Sequence, residues 1–332
     1  MVKMLAVLML GTLSESARSQ VSFTGYGAAG YRLINRERLV EINDEAYYEG
    51  KLQANIRVNS HIKAQLDFRG NSSDQLVELR EFSAKFSYVD RLDFEFGNIK
   101  DPFGAERLES REDLAAIDRS VLSESVSLIG YGRRNVGLNV HRVYDKEDTG
   151  FLHEYYLHAF KNNNNQTGFV GRYTHHLDDV EASLNYSLLN SGGDFPIVSH
   201  AFAAHVLYDV KDFELDGEVM VVQDPIEGIR RQLMNRSTTV YALGGRISGA
   251  RGFDTDGSVV EEIEPLLLLS YFRPDSDVPS AHTVQVLLGA NVYFEKEVRA
   301  RVNADLRLTK NEFNTKYSTS NSRLTVELQV RF

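Results

Sequence analysis

Residues 97–132 interleave charges of both signs: seven carboxylates (Asp101, Glu106, Glu109, Glu112, Asp113, Asp118, Glu124) against four cations (Lys100, Arg107, Arg111, Arg119). Such a set can hold ions or polar solutes by direct pairing and by the field between unlike charges. Covalent chemistry has less support. His141, His153, His158, His175, His176 and the serines occur in no motif that sets a nucleophile beside its base. Adjacent residues on a strand point to opposite faces, so His175 and His176 do not share a metal. With no Cys in the chain, thiolate sites and disulfides are excluded. We therefore expect no catalysis, no metal and no cofactor. A stretch of this length without obvious periodicity is either functional or disordered, and the rest of the chain decides which.

The mean hydropathy of −0.32 excludes a bundle of membrane helices, each of which needs about 20 apolar residues in a row. A net charge of −10 disfavours nucleic acid as a partner. Residues 1–19 read as a secretory signal peptide: Lys3, an apolar run over residues 4–13, then Ala17-Arg18-Ser19 before the cut. Its removal takes away two cations and one anion, leaving −11 for a single domain over residues 20–332.

From residue 21 the dominant signal is period two. In residues 51–58, KLQANIRV, Leu52, Ala54, Ile56 and Val58 oppose Lys51, Gln53, Asn55 and Arg57. The pattern predicts sixteen strands: 21–34, 51–58, 61–69, 81–89, 91–97, 134–143, 150–160, 168–176, 179–189, 200–210, 212–222, 238–247, 262–272, 282–294, 297–309 and 322–332. Residues 35–50 read as a loop, and residues 248–261 break an otherwise regular alternation of short and long connections. A soluble sandwich would also alternate, but sixteen strands would need two sheets or two domains, and no linker marks a boundary. Short turns at one end and long loops at the other describe an antiparallel transmembrane β-barrel of the outer membrane. With no Trp, its aromatic girdles would fall to Tyr88, Phe160, Tyr186, Tyr208, Phe213, Tyr293 and Phe294.

In a membrane barrel the polar face points inward, because a charge facing hydrocarbon costs about 2–4 kcal/mol at the midplane. That assigns Lys51, Arg57, Lys63, Arg69 and Lys85 to the lumen, with Arg299, Arg301, Arg307, Arg323 and Arg331 from the last two strands. Closure makes the last strand a neighbour of the first, so these cations form one basic wall. Asp67, Glu81, Asp305 and Glu327 dilute it, and Glu181, Glu214, Asp216 and Glu218 lie opposite.

The run from Phe96 to Ser110, with Gly97, Lys100, Pro102-Phe103-Gly104 and Glu106 in order, then Arg119-Ser120 and Arg134 before Val136-Gly137, resembles the phosphate-selective porin O and P family. The resemblance implies sixteen strands, a homotrimer, and a third external loop folded into the pore as its constriction. It also implies phosphate selectivity, which this loop's net charge of −3 does not favour. The loop residues placed at the constriction are Lys100, Arg107, Glu109, Arg111, Glu112, Asp113, Asp118 and Arg119, an acidic arm facing the basic wall. The sequence thus predicts an all-β, 16-stranded outer-membrane porin of a Gram-negative-type bacterium, exported through the periplasm. It would pass small hydrophilic solutes, with anions preferred. The rival reading is a plugged structural or adhesive barrel that binds its partner through an outer loop such as residues 162–165.

Overall fold

A computed structural model describes residues 20–36, 41–72, 76–145, 150–161, 166–192, 196–234, 239–255, 259–278, 280–295, 297–310 and 321–332. The expected signal peptide and residues 162–165 lie outside these. The strands are β1 (Gln20–Arg36), β2 (Glu41–Arg57), β3 (Ile62–Asn71), β4 (Val77–Val89), β5 (Leu92–Lys100), β6 (Arg134–Tyr144), β7 (Leu152–Lys161), β8 (Thr167–Leu177) and β9 (Val180–Asn190). They continue as β10 (Val198–Val210), β11 (Phe213–Gln223), β12 (Tyr241–Arg251), β13 (Phe253–Asp254), β14 (Glu262–Arg273), β15 (His282–Glu295), β16 (Val298–Lys310) and β17 (Ser322–Arg331). Each pairs antiparallel with its neighbour, and β1 pairs with both β2 and β17, from Tyr26↔Arg331 to Asn35↔Ser322. The sheet is closed, which removes its edges. The two-residue β13 continues β12 against β14 through Phe253↔Ile263, so the wall has sixteen staves.

Two sequence expectations change. Residues 41–50 are strand rather than loop, paired with β1 as far as Arg36↔Glu41. In the irregular stretch 248–261 the strand runs on through β12 and β13 as far as Asp254. Side chains alternate as a membrane barrel requires: on β17 Leu324, Val326, Leu328 and Val330 are exposed outward while Thr325, Glu327 and Gln329 are buried inward. Of the expected girdle, Tyr88, Tyr208 and Phe213 are exposed. Phe160 instead belongs to an interior cluster, and Tyr293 reaches Glu264 and Arg299.

Among the described residues, three helices interrupt the strands: α1 (Ala105–Leu108) and α2 (Val121–Ile129) between β5 and β6, and α3 (Pro225–Leu233) between β11 and β12. Helix α2 starts where the Ser120 side chain accepts from the Ser123 amide, a normal N-cap. It ends at Gly130, whose φ of 132° suits a residue without a Cβ.

Candidate functional site

The β5–β6 connection is the third at its end of the barrel, and its contacts run to the inner wall. Gly97 marks its base: at φ 153° an added Cβ would lie 1.9 Å from the Phe82 carbonyl oxygen, so no side chain fits there. One side of the segment is apolar. Phe103, Val121, Leu122, Val126, Ile129 and Tyr131 form a buried cluster with wall residues Phe160, Val170, Leu189, Met220, Val222 and Phe272. Each fully buried side chain of this size contributes about 1.5–3 kcal/mol. Part of the lumen face over β7–β14 is therefore apolar where this cluster packs, beside buried polar residues of the same strands such as Arg172, Asn185, His205 and Arg246.

The second anchor is the C-terminal part of the basic wall. Arg299 donates to the carbonyl oxygens of Glu112 and Leu114, and Arg301 to that of Leu114. Arg331 also donates to the Glu112 carbonyl and pairs with Asp113 at 3.2 Å. Arg307 binds Asp305 and Glu124, while Arg323 binds Asp118 at 3.1 Å. Wall side chains also cap loop amides: Asn303 accepts from Ile117, Gln285 from Val121 and Ser270 from Leu122. These five arginines hold the loop. Asp118 sits under three guanidiniums, with Arg32 at 3.1 Å and Arg111 at 3.2 Å beside Arg323. Its carboxyl is held well below the usual range, because Arg323, Arg32 and Arg111 overcome the opposing effect of burial.

The opposite flank of the loop borders a cavity of about 220 Å³. Its cations are Lys51 and Arg69 from the wall, Lys100, Arg107, Arg111 and Arg119 from the loop and its approach, and Arg80 and Arg134. Four carboxylates share it: Asp67, Glu112, Asp118 and Glu124. Lys51 pairs with Glu112 at 2.7 Å, Arg69 and Arg111 with Glu49 at 2.9 and 3.0 Å, and Arg134 with Glu81 at 2.5 Å. Among the described residues, Arg80, Lys100, Arg107 and Arg119 have no carboxylate within ion-pair distance. Lys100 donates to the Leu108 carbonyl, Arg107 to that of Gly132 and Arg119 to that of Glu109. The loop thus turns its cations to the open space and most of its carboxylates to the wall. Burial, with Arg119 and Arg134 nearby, lowers the Arg107 pKa to about 10. Glu109 lies on the far flank near Glu106, Glu214 and Asp216. Burial first, then Glu214 and Glu106, raises its carboxyl to about 7.

The ten wall cations therefore divide by position. Five clamp the loop, Lys51 and Arg69 line the cavity, and Arg57, Lys63 and Lys85 line a separate hollow. Arg32, Arg80 and Arg246 escaped the sequence reading, and Arg134 entered it only through the family resemblance, not as a lumen residue. Arg32 shares the inward face of β1 with Tyr26 and Ala28, so alternation carried the signal. Arg134 stands at the start of β6. Arg246 bridges Asp216, Glu218 and Glu106 on a wall read as acidic. Arg80 carried no period-two signal: the register jumps from Asp67↔Glu81 to Phe68↔Leu79, and this bulge leaves Arg80 unpaired beside Glu81.

Residues 40–189 match the family model described as phosphate-selective porin O and P. No curated protein sequence matches the chain. Among solved structures, the anion-selective porin from Comamonas acidovorans superposes with a TM-score of 0.68 at 10% identity, covering 95% of this chain and 100% of that one. The outer membrane channel DcaP of Acinetobacter baumannii gives 0.66 at 10%, covering 96% and 99%. The Salmonella typhi OmpF complex with daunomycin gives 0.65 at 12%, covering 94% and 97%. At these identities the superpositions speak for the fold, and the function rests on the family match. Together they identify the chain as an outer-membrane porin whose residues 40–189 match the phosphate-selective porin O and P family model.

Proposed function

We propose that this porin is anion-preferring and that the segment 97–132 is its constriction, narrowed to the cationic cavity beside β2–β6. The observation that carries the reading is the set Arg80, Lys100, Arg107 and Arg119, which line one cavity with no carboxylate partner among the described residues. Like charges brought together in a partly dry space raise one another's energy. An anion passing between them relieves that cost, as in pores selective by charged side chains. Of the residues expected at the constriction, Lys100, Arg107, Arg111 and Arg119 would contact the anion. Glu112, Asp113 and Asp118 would hold the loop in place, and Glu109 would tune the charge. The long connections would face outward, after export by the N-terminal segment, and the barrels would assemble as trimers. The packed core around α2 favours a second reading, in which the barrel is plugged and serves a structural role. Planar-bilayer recording separates them. Discrete conductance steps with a reversal potential toward anions support the first reading. Silence supports the second, and cation preference overturns the first.

A further inference from the structure

The outer wall carries a groove that the permeation path does not use. It is apolar, encloses about 490 Å³ and runs over the membrane face of β7–β11; ligand sites typically span about 300–1,000 Å³. Two small outward residues, Gly171 on β8 and Ala204 on β10, form its floor, and Tyr155, Tyr173, Tyr186 and Phe202 rise around them. A Cβ added to Gly171 would meet nothing closer than Leu157 Cδ2 at 3.7 Å, so the missing side chain leaves open space and relieves no clash. Lipid tails would fill such a groove without preference, because they are as apolar as its walls. A polar group at one end makes it selective, and β6 supplies one. Arg142 is exposed on the outward face, and in register it stands opposite Tyr155, which stands opposite Tyr173. Its guanidinium lies 4.7 Å from the centre of the Tyr144 ring, and among the described residues no carboxylate lies within ion-pair distance. Tyr144 stacks on His153 at 4.8 Å, and Tyr155 packs on Tyr173 at 5.0 Å. The aromatic cluster around Arg142 thus shares Tyr155 and Tyr173 with the rim of the groove.

We infer that the outer face of β6–β11 is a binding site for one anionic phospholipid. Arg142 donates to the phosphate, a pairing its planar fork suits, and one acyl chain lies over Gly171 and Ala204. Snorkelling toward water accounts for a lone arginine at a membrane border. Arg251 on β12 is of that kind: it stacks on Phe253 at 4.9 Å and stands opposite Phe213 rather than a groove residue. Arg142 lies two residues from the end of β6, at the end of the barrel with the short turns 90–91 and 178–179. The lipid therefore belongs to the periplasmic leaflet, given the proposed outward direction of the long connections. The site faces the bilayer and is independent of the anion path.

Native mass spectrometry of the refolded porin in detergent tests this, with dioleoyl phosphatidylglycerol and dioleoylglycerol as probes. The two share their chains and differ by the phosphoglycerol head. The native barrel should retain one phosphatidylglycerol with a Kd about tenfold or more below that of the diacylglycerol, the worth of one charge-assisted hydrogen bond. Arg142→Gln should bring the two to within about threefold. Gly171→Leu, which fills the floor of the groove, should weaken both by about tenfold through lost packing of the chain. Arg251→Gln should change neither. Equal native affinities overturn the inference, as do equal losses in Arg142→Gln and Arg251→Gln or undiminished binding in Gly171→Leu. A groove covered by a second copy of the chain would retain no lipid, and that result also overturns it. Tighter retention of lipid A than of phosphatidylglycerol overturns the assignment to a phospholipid. Should Arg142→Gln fail to refold, the native pair and Gly171→Leu decide. None of these outcomes bears on the anion path, which stands or falls on the reversal potential.

Discussion

Replacing Asp118 by Asn should undock the loop without opening the barrel. The native carboxylate serves Arg32, Arg111 and Arg323. Without its charge, Arg111 keeps Glu49 at 3.0 Å and Arg323 keeps Asp305 at 3.3 Å. Arg32 retains the Thr325 hydroxyl at 3.5 Å and, among the described residues, no carboxylate. Breaking a buried ion pair costs about 3–5 kcal/mol, and the lower end, about 3, applies because two of the three cations stay paired. At about 1.4 kcal/mol per decade, the docked population falls roughly a hundredfold relative to the undocked one. Hydrogen exchange reads this directly. The amides of Ile117 and Val121, bonded to Asn303 and Gln285, should lose about two decades of protection, while those of β8 and β9 should not change. A loss below about threefold, or an equal loss over the whole barrel, would refute the clamp. The sign in pH follows from the lowered Asp118 pKa. Its contribution is fully present above the unfolded carboxylate value, near 4, and is lost only as pH falls through the depressed one. Docking should therefore survive at about pH 5.

Glu109 gives a pH response of opposite sense. With its pKa raised to about 7, it is neutral in mild acid and gains its charge as pH rises through neutrality. Its contribution to stability therefore falls between about pH 4.3, the unfolded value, and pH 7. Anion preference should decline between about pH 6 and 8, and Glu109→Gln should flatten the titration; an unchanged slope would count against it. Gly97→Ala should disrupt β4–β5 pairing, because the new Cβ meets the Phe82 carbonyl at 1.9 Å. The cost exceeds about 1 kcal/mol and should appear as a lower melting temperature of the folded barrel, whereas Gly27→Ala, with open space around it, should be nearly neutral. Arg301→Met removes a cation held by Glu327 and the Leu114 carbonyl. It should destabilise the barrel by about 3–5 kcal/mol, read as a lower melting temperature of the folded barrel.

The strands were legible because a membrane wall imposes strict alternation. Leu324, Val326, Leu328 and Val330 against Thr325, Glu327 and Gln329 leave one reading. Alternation failed where its cause was absent. On β2, Asp44 and Gly50 interrupt the apolar outward face, so residues 41–50 passed for a loop. At Val170, Leu189, Met220 and Phe272 the inward face is apolar because α2 packs on it, and neither period two nor charge pointed to a core inside the lumen. The position of the 97–132 segment could be read from the strand count. The direction of its charges could not. That depends on which wall arginines meet Asp118 and Glu112, a tertiary choice set by the docking of α2, and Arg80 reaches the cavity only through a bulge.

The central claim is that cations lacking carboxylate partners set the selectivity, and the reversal potential in a potassium chloride gradient tests it most directly. The native protein should favour chloride. Combined Arg80→Ala, Arg107→Ala and Arg119→Ala should move the potential toward zero or past it, while discrete conductance steps persist. Native preference for potassium, or a triple variant that keeps the native potential, would contradict the account.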